Sequence, residues 1–257
     1  GLVYRARGEQ DRAIDSFRRS IELHRTVGNK QGEGKQLGNL GNIRHAQGRY
    51  DESIECYSKA IAISEQIGDQ IAIGINLGNL GNAHRATGKW TTAMNLYERA
   101  IDIHRETGNR SSEGNMLGAL AAACMEKDEH ERAINLYTQA IDIHRQIGNR
   151  TNQGIHLGNM GDAFLRLHRF EEAETALRRA IEIGDETIHA AAGAFRGSLA
   201  FLLAQRDEFE EALTLLKKGE TQVKSEPGEH AKFLCKKGQI HLLAGDPSAA
   251  QTALGRA

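Results

Sequence analysis

The chain repeats itself every forty residues, and this period limits its possible folds more than any other feature. "LGNLGN" at 37–42 returns unchanged at 77–82, then as "LGALAA" at 117–122 and "LGNMGD" at 157–162. A second series keeps the same register. Ala13-Ile14, Ser53-Ile54, Ala93-Met94 and Ala133-Ile134 stand forty apart, Ala173 continues them, and Ala212 and Ala250 follow at shorter steps. Four residues after each comes a large side chain (Phe17, Tyr57, Tyr97, Tyr137, Leu177, Leu216, Leu254), and three further on a small one (Ser20, Ala60, Ala100, Ala140, Ala180, Gly219, Ala257). Spacings of three and four put these residues on one face of a helix. One such unit cannot bury its apolar face alone, so the copies must stack on their neighbours.

Only two prolines, Pro227 and Pro247, interrupt the 257 residues, so long helices are open nearly everywhere. Aromatic residues make up 5%, which leaves a core of Leu, Ile and Ala suited to closely packed helices. In the second copy the pattern predicts one helix over roughly 30–47 and another over roughly 50–67. "LHRTVGN", "ISEQIGD", "IHRETGN" and "IHRQIGN" end the second helix of successive copies. Gly28, Gly68, Gly108 and Gly148 suit the left-handed residue after a helix. Asn29, Asp69, Asn109 and Asn149 suit the N-cap of the helix that follows. "IEIGDE" (181–186) predicts a helix ending four residues early, and Arg196 and Lys237 stand where earlier copies have leucine, so the packing is expected to bend or loosen there.

Upstream of each Ala series lies an "LG" pair or its equivalent: Leu40-Gly41, Leu80-Gly81, Leu120-Ala121, Met160-Gly161 and Leu199-Ala200. An LG pair, then Ala, then an aromatic residue resembles the tetratricopeptide repeat. The likeness covers the chain as a single array of seven copies, over 1–33, 34–73, 74–113, 114–153, 154–192, 193–230 and 231–257, with the first and last incomplete. The long unit with its "GN/GD" joints is similar to the repeats of Partner-of-Inscuteable adaptors and of kinesin light chain. The resemblance implies an all-α fold, a right-handed superhelical solenoid of antiparallel helix pairs whose first helices line a concave groove.

Glycine inside a helix costs about 1 kcal/mol relative to alanine, so a repeated glycine implies a repeated steric need. The resemblance puts Gly41, Gly81 and Gly161 where the first helix crosses the second helix of its own copy. Gly38, Gly78, Gly118 and Gly158 lie three residues earlier, near the groove, leaving room for a ligand backbone or for a neighbouring helix. A phosphate cradle is excluded by context: Gly34-Lys35 is followed by Gln36, position 29 is Asn, and no β-rich segment precedes any copy.

The asparagines are the candidate recognition residues. Asn39, Asn79 and Asn159 fall at the sixth place of the unit, and Asn42, Asn82 and Asp162 at the ninth. An amide both donates and accepts, so a row of them can hold a peptide backbone whatever its sequence. In related arrays, such as the repeats of O-linked N-acetylglucosamine transferase, a sixth-place asparagine ladder does this. The other reading is that these amides brace neighbouring helices. In the fourth copy Ala119 and Ala122 replace both asparagines beside Met125, which reads either as an apolar pocket or as a drifted repeat. Lys35, His45, Ile75, Arg85, Asn115, Leu165 and Arg166 are the other expected groove positions. Arg85 and Arg166 suit an acidic side chain or terminal carboxylate, or a solvated face.

A net charge of −1 leaves no electrostatic footprint for nucleic acid, and no apolar run approaches the length of a membrane span. Cys56, Cys124 and Cys235 show no CxxC pairing, which fits a reducing, cytoplasmic setting. His24, His104 and His144 share one repeat position, and adjacent copies are expected to pack about 10 Å apart, too far for two such histidines to share an ion. No metal, cofactor or catalytic residue is expected. The reading is a non-catalytic scaffold that binds a protein or peptide segment in its groove, without nucleic acid or membrane insertion. Two alternatives remain open: a regulatory module of a larger multidomain signalling enzyme, and a structural array that forms homo-oligomers through exposed solenoid ends. The chain begins at a glycine and ends without a polar capping helix, as a piece of a longer protein would.

Overall fold

The computed structural model of the chain describes Tyr4 and residues 9–256. The opening of the first copy and the small residue of the seventh, Ala257, lie outside the described residues. Thirteen α-helices and no strand occur among the described residues. They are α1 (Gln10–Thr26), α2 (Lys30–Ala46), α3 (Tyr50–Ile67), α4 (Gln70–Ala86), α5 (Trp90–Glu106), α6 (Arg110–Glu126), α7 (His130–Gln146), α8 (Arg150–Arg166), α9 (Phe170–Thr187), α10 (His189–Ala204), α11 (Phe209–Val223), α12 (Pro227–Leu243) and α13 (Pro247–Leu254). The chain divides into two compact units, residues 1–127 and 128–257. Within each unit every helix packs on the next in sequence, and alternate helices touch, as α2 does α4 and α8 does α10.

The joints form as their residues require. Gly28, Gly68, Gly108 and Gly148 adopt φ between +67° and +70°, which side chains resist. The carboxamide or carboxylate oxygens of Asn29, Asp69, Asn109 and Asn149 then accept the N–H of Gly32, Ala72, Ser112 and Asn152 at 2.8–3.2 Å. At the turns that lack glycine, Asp128 and His168 take the left-handed conformation instead, with φ of 58° and 55°, as Asp and His do more readily than most residues.

The core follows the small–large register. Ala60, Ala100, Ala140 and Ala180 are fully buried, as are Ala13, Ala93, Ala133 and Ala173. In the first unit, Phe17 and Ile21 of α1 pack with Leu37, Leu40 and Ile43 of α2, while Tyr57 and Ile61 of α3 pack with Ile73, Leu77 and Leu80 of α4. Buried carboxylates tie consecutive helices across the joints: Glu33 on α2 accepts from Arg25 on α1 at 2.9 Å, and Glu113 on α6 from Arg105 on α5 at 3.1 Å. Ile73 stands forty residues after Glu33 and joins the apolar core instead.

Two expectations for the last third are corrected. α9 does not end early but runs to Thr187, and a single extended residue, Ile188 (φ −139°, ψ 96°), replaces the two- or three-residue joint of the earlier copies. Gly184 stays helical because its bare Cα is needed for packing: a Cβ there would lie 2.9 Å from Ala192 Cβ. Arg196 does not loosen its surroundings. It is buried, and its guanidinium is bidentate on Asp185 at 2.8 and 2.5 Å and donates to Gln222 at 2.6 Å. Lys237 pairs with Glu220 at 2.6 Å.

Candidate functional site

The two glycine rows have separate roles. A Cβ on Gly41 would come within 2.6 Å of the Tyr57 ring, one on Gly81 within 2.6 Å of Tyr97, and one on Gly161 within 2.7 Å of Leu177. These are the crossings of first and second helix within a copy. The earlier row closes on the next copy: Gly38 faces Asn76 Oδ1, which a Cβ would meet at 2.8 Å, Gly78 faces Met116, and Gly158 faces Phe195. Of the two openings the sequence left, the neighbouring helix fills this one.

The asparagines divide as well. At the ninth place, the Tyr57 hydroxyl donates to Asn42 Oδ1 at 2.8 Å, and the Tyr97 hydroxyl to Asn82 Oδ1 at 2.8 Å. Burial pushes both phenols above their ordinary pKa, so they stay protonated as donors. Arg85 is exposed in the last turn of α4, with its guanidinium beside the Tyr97 hydroxyl. In the fifth copy Leu177 replaces the tyrosine, and Asp162 lies 4.0 Å from the Lys236 ammonium.

At the sixth place, Asn39 and Asn79 both line one pocket of about 610 Å³ in the first unit. Asn39 Nδ2 donates to Gln36 at 3.3 Å, and no described residue hydrogen-bonds the Asn79 side chain. Lys35, Gln36, Asn39 and Asn42 make the wall on α2; Ile71, Ile75, Asn76 and Asn79 make the wall on α4, with Ile67 at the end of α3. Lys35 is exposed, and no carboxylate among the described residues reaches its ammonium. The isoleucines keep 41–51% of their surface exposed, so the α4 wall sets an aliphatic strip beside its amides and the α2 wall is amide and cationic.

The other predicted positions lie outside this pocket. Asn159 and Asp162 line a smaller cavity of about 360 Å³ in the second unit, beside Phe195, Ser198 and Lys236. His45 ends α2 with its ring edge-on to Tyr50, centroids 5.3 Å apart. Met125 is half-buried near the end of α6, and Arg166 is exposed at the end of α8. Sequence reasoning singled out Ile75 but missed Ile67, Ile71 and Asn76. Ile71 carried a usable signal, since the same place holds Gln31, Ser111 and Thr151 in other copies. The repeated histidine is a packing residue in the third copy: the ring of His104 lies under Gly74, where a Cβ would meet it at 2.8 Å.

No helix among the described residues is long and apolar enough to cross a membrane. Comparison with known proteins agrees with the fold. The chain superposes on BtubC (BKLC) from P. vanneervenii with a TM-score of 0.74 and 17% identity, covering 85% of this chain and 92% of that one. A putative kinesin light chain from Podosopora anserina with nearly identical TPR-like repeats gives a TM-score of 0.62 and 19% identity, covering 73% and 93%. A Rap protein complexed with competence and sporulation factor gives 0.69 and 18%, covering 94% and 72%. No curated protein matches the chain in sequence. Tetratricopeptide repeat profiles match residues 1–31, 36–106, 112–186 and 159–227. With more than half its length matched in this way, and its helices paired copy by copy, the chain belongs to the tetratricopeptide repeat family.

Proposed function

We propose that the chain is a non-catalytic protein-interaction module, and that the first-unit pocket holds an extended segment of a partner protein or a peptide. The observation that carries this is the pair of sixth-place amides, Asn39 and Asn79, placed in one pocket with Asn79 taking no bond from the described residues. A peptide backbone presents alternating donors and acceptors, which carboxamides match. The Rap protein of similar fold, crystallised with competence and sporulation factor, supports the same reading for this architecture. At the ninth place Asn42 and Asn82 brace tyrosines through Oδ1, and Asn42 also lines the pocket.

The test is binding of peptides recovered from a random display library on the immobilised full chain, read by fluorescence anisotropy. Each lost amide contact is worth about 1 kcal/mol, so Asn39→Ala/Asn79→Ala is expected to weaken binding by roughly tenfold or more. The helical circular-dichroism spectrum is expected to stay unchanged. Unaltered affinity with an intact spectrum rejects the reading.

A further inference from the structure

We infer that the first-unit pocket, if it is the groove proposed above, selects an extended partner segment carrying a branched aliphatic side chain about three residues from an acidic one. Three isoleucines that the fold leaves exposed converge here: Ile67 at 41%, Ile71 at 51% and Ile75 at 45%. Ile71 and Ile75 stand one turn apart on α4, on a common face. They are not repeat-packing residues, because the same two places hold Gln31 and Lys35 in the preceding copy and Ser111 and Asn115 in the following one. The Ile71–Ile75 pair occurs in this copy alone, although Ile155 repeats Ile75 two copies on and Val27 and Ile147 repeat Ile67; such a pair is a specificity feature, and an aliphatic side chain is the ligand group that would cover it.

The facing wall supplies the second requirement. Lys35 on α2 is exposed in the pocket, with no carboxylate of the described residues within ion-pair reach. The carboxylate that lines the pocket, Asp69, is already engaged as the cap of α4, accepting from Ala72 N–H at 3.0 Å. The cation is therefore available to an acidic side chain from the ligand. α2 and α4 approach closely where Gly38 receives Asn76. Packed helices lie about 8–10 Å apart, and an extended chain advances about 3.3 Å per residue. A segment crossing from the isoleucines to Lys35 thus spans about three residues, with Asn39 and Asn79 beside its backbone.

Peptides selected from the random library on the full chain are sequenced and re-measured. The expected result is enrichment of Ile, Leu or Val about three residues from Asp or Glu, with binding weakened by salt. Lys35→Glu is expected to weaken these peptides at least tenfold, with binding restored when the peptide's acidic residue is changed to lysine. Ile71→Ser/Ile75→Ser is expected to abolish the aliphatic preference while keeping the acidic one. Both variants change exposed side chains, and a circular-dichroism spectrum checks their folding. Two results overturn the inference while leaving the groove reading intact: peptides sensitive to Asn39→Ala/Asn79→Ala but without the aliphatic–acidic pairing, or binding unchanged by Lys35→Glu. Recovery of no peptide, or only of peptides indifferent to the asparagine pair, removes both.

Discussion

The Tyr57 hydroxyl donates to Asn42 Oδ1 at 2.8 Å, joining the two helices of one copy across a glycine notch. Tyr97 and Asn82 repeat the bond forty residues on. In each of these copies the LGN triplet therefore combines a notch with a brace: Gly41 makes room for the ring and Asn42 holds its hydroxyl.

Asn42→Ala leaves the hydroxyl of a tyrosine that is only 2% exposed without its acceptor. An unsatisfied buried group costs about 1–3 kcal/mol, and a lower urea midpoint is the expected outcome. Tyr57→Phe removes both needs at once on the tyrosine side and is expected to cost about 1 kcal/mol. In the Tyr57→Phe background, Asn42→Ala should add little, which a double-mutant cycle measures.

Gly41→Ala opposes two effects. Alanine gains about 1 kcal/mol of helix propensity, but its Cβ would meet Tyr57 Cε1 at 2.6 Å and Cδ1 at 2.8 Å. Ring atoms held by a core and a hydrogen bond cannot retreat cheaply, and overpacking costs about 1–3 kcal/mol. Net destabilisation is expected by thermal unfolding; a raised Tm refutes the notch.

Hydrogen bonds from Arg196, and then from Gln222 and Lys218, hold the Asp185 carboxyl well below its ordinary 3.8. A depressed carboxylate contributes stability that is present above its unfolded pKa and lost as pH falls below about 4. Arg196→Met removes the largest of these bonds. The variant is expected to be less stable at neutral pH and to lose less on acidification, as followed by Tm against pH.

His156 acts over a higher range. Burial, with a smaller push from His144 at a ring separation of 5.2 Å, lowers its pKa from 6.5 to about 4. The unfolded chain then binds a proton that the folded one refuses between about pH 6.5 and 4. Stability should fall as pH drops through that window, by up to about 1.4 kcal/mol per unit. His156→Met, which installs the residue of the same place in the preceding copy (Met116), is expected to flatten the fall, again as followed by Tm against pH.

Much of the fold was legible because it is set by short-range chemistry. A helix expected over roughly 30–47 is found at Lys30–Ala46, and the glycine joints and asparagine caps fall where a left-handed residue and an N-cap acceptor are needed. The misreading at 181–186 shows the limit. Gly184 looks like a stop signal in isolation, yet it lies inside α9 because Ala192, from the next helix, occupies the space beside it. The candidate site was legible only in part. Asn39 and Asn42 lie three residues apart on the same helix and both line the pocket, and nothing local shows that Asn42 alone also braces a tyrosine fifteen residues away.

The sequence by itself determined the period, the pairing of helices, the family and the small–large register of the core, because each follows from spacing along a single helix or from the turn that ends it. Only the tertiary structure decided which partner each repeated residue meets. Gly38 faces Asn76, Asn42 holds Tyr57, and Arg196 reaches Asp185 and Gln222. These contacts join residues 11 to 38 positions apart, on different helices. Their distances depend on how closely two helices approach and which side chains fill the gap, and no local propensity records either quantity.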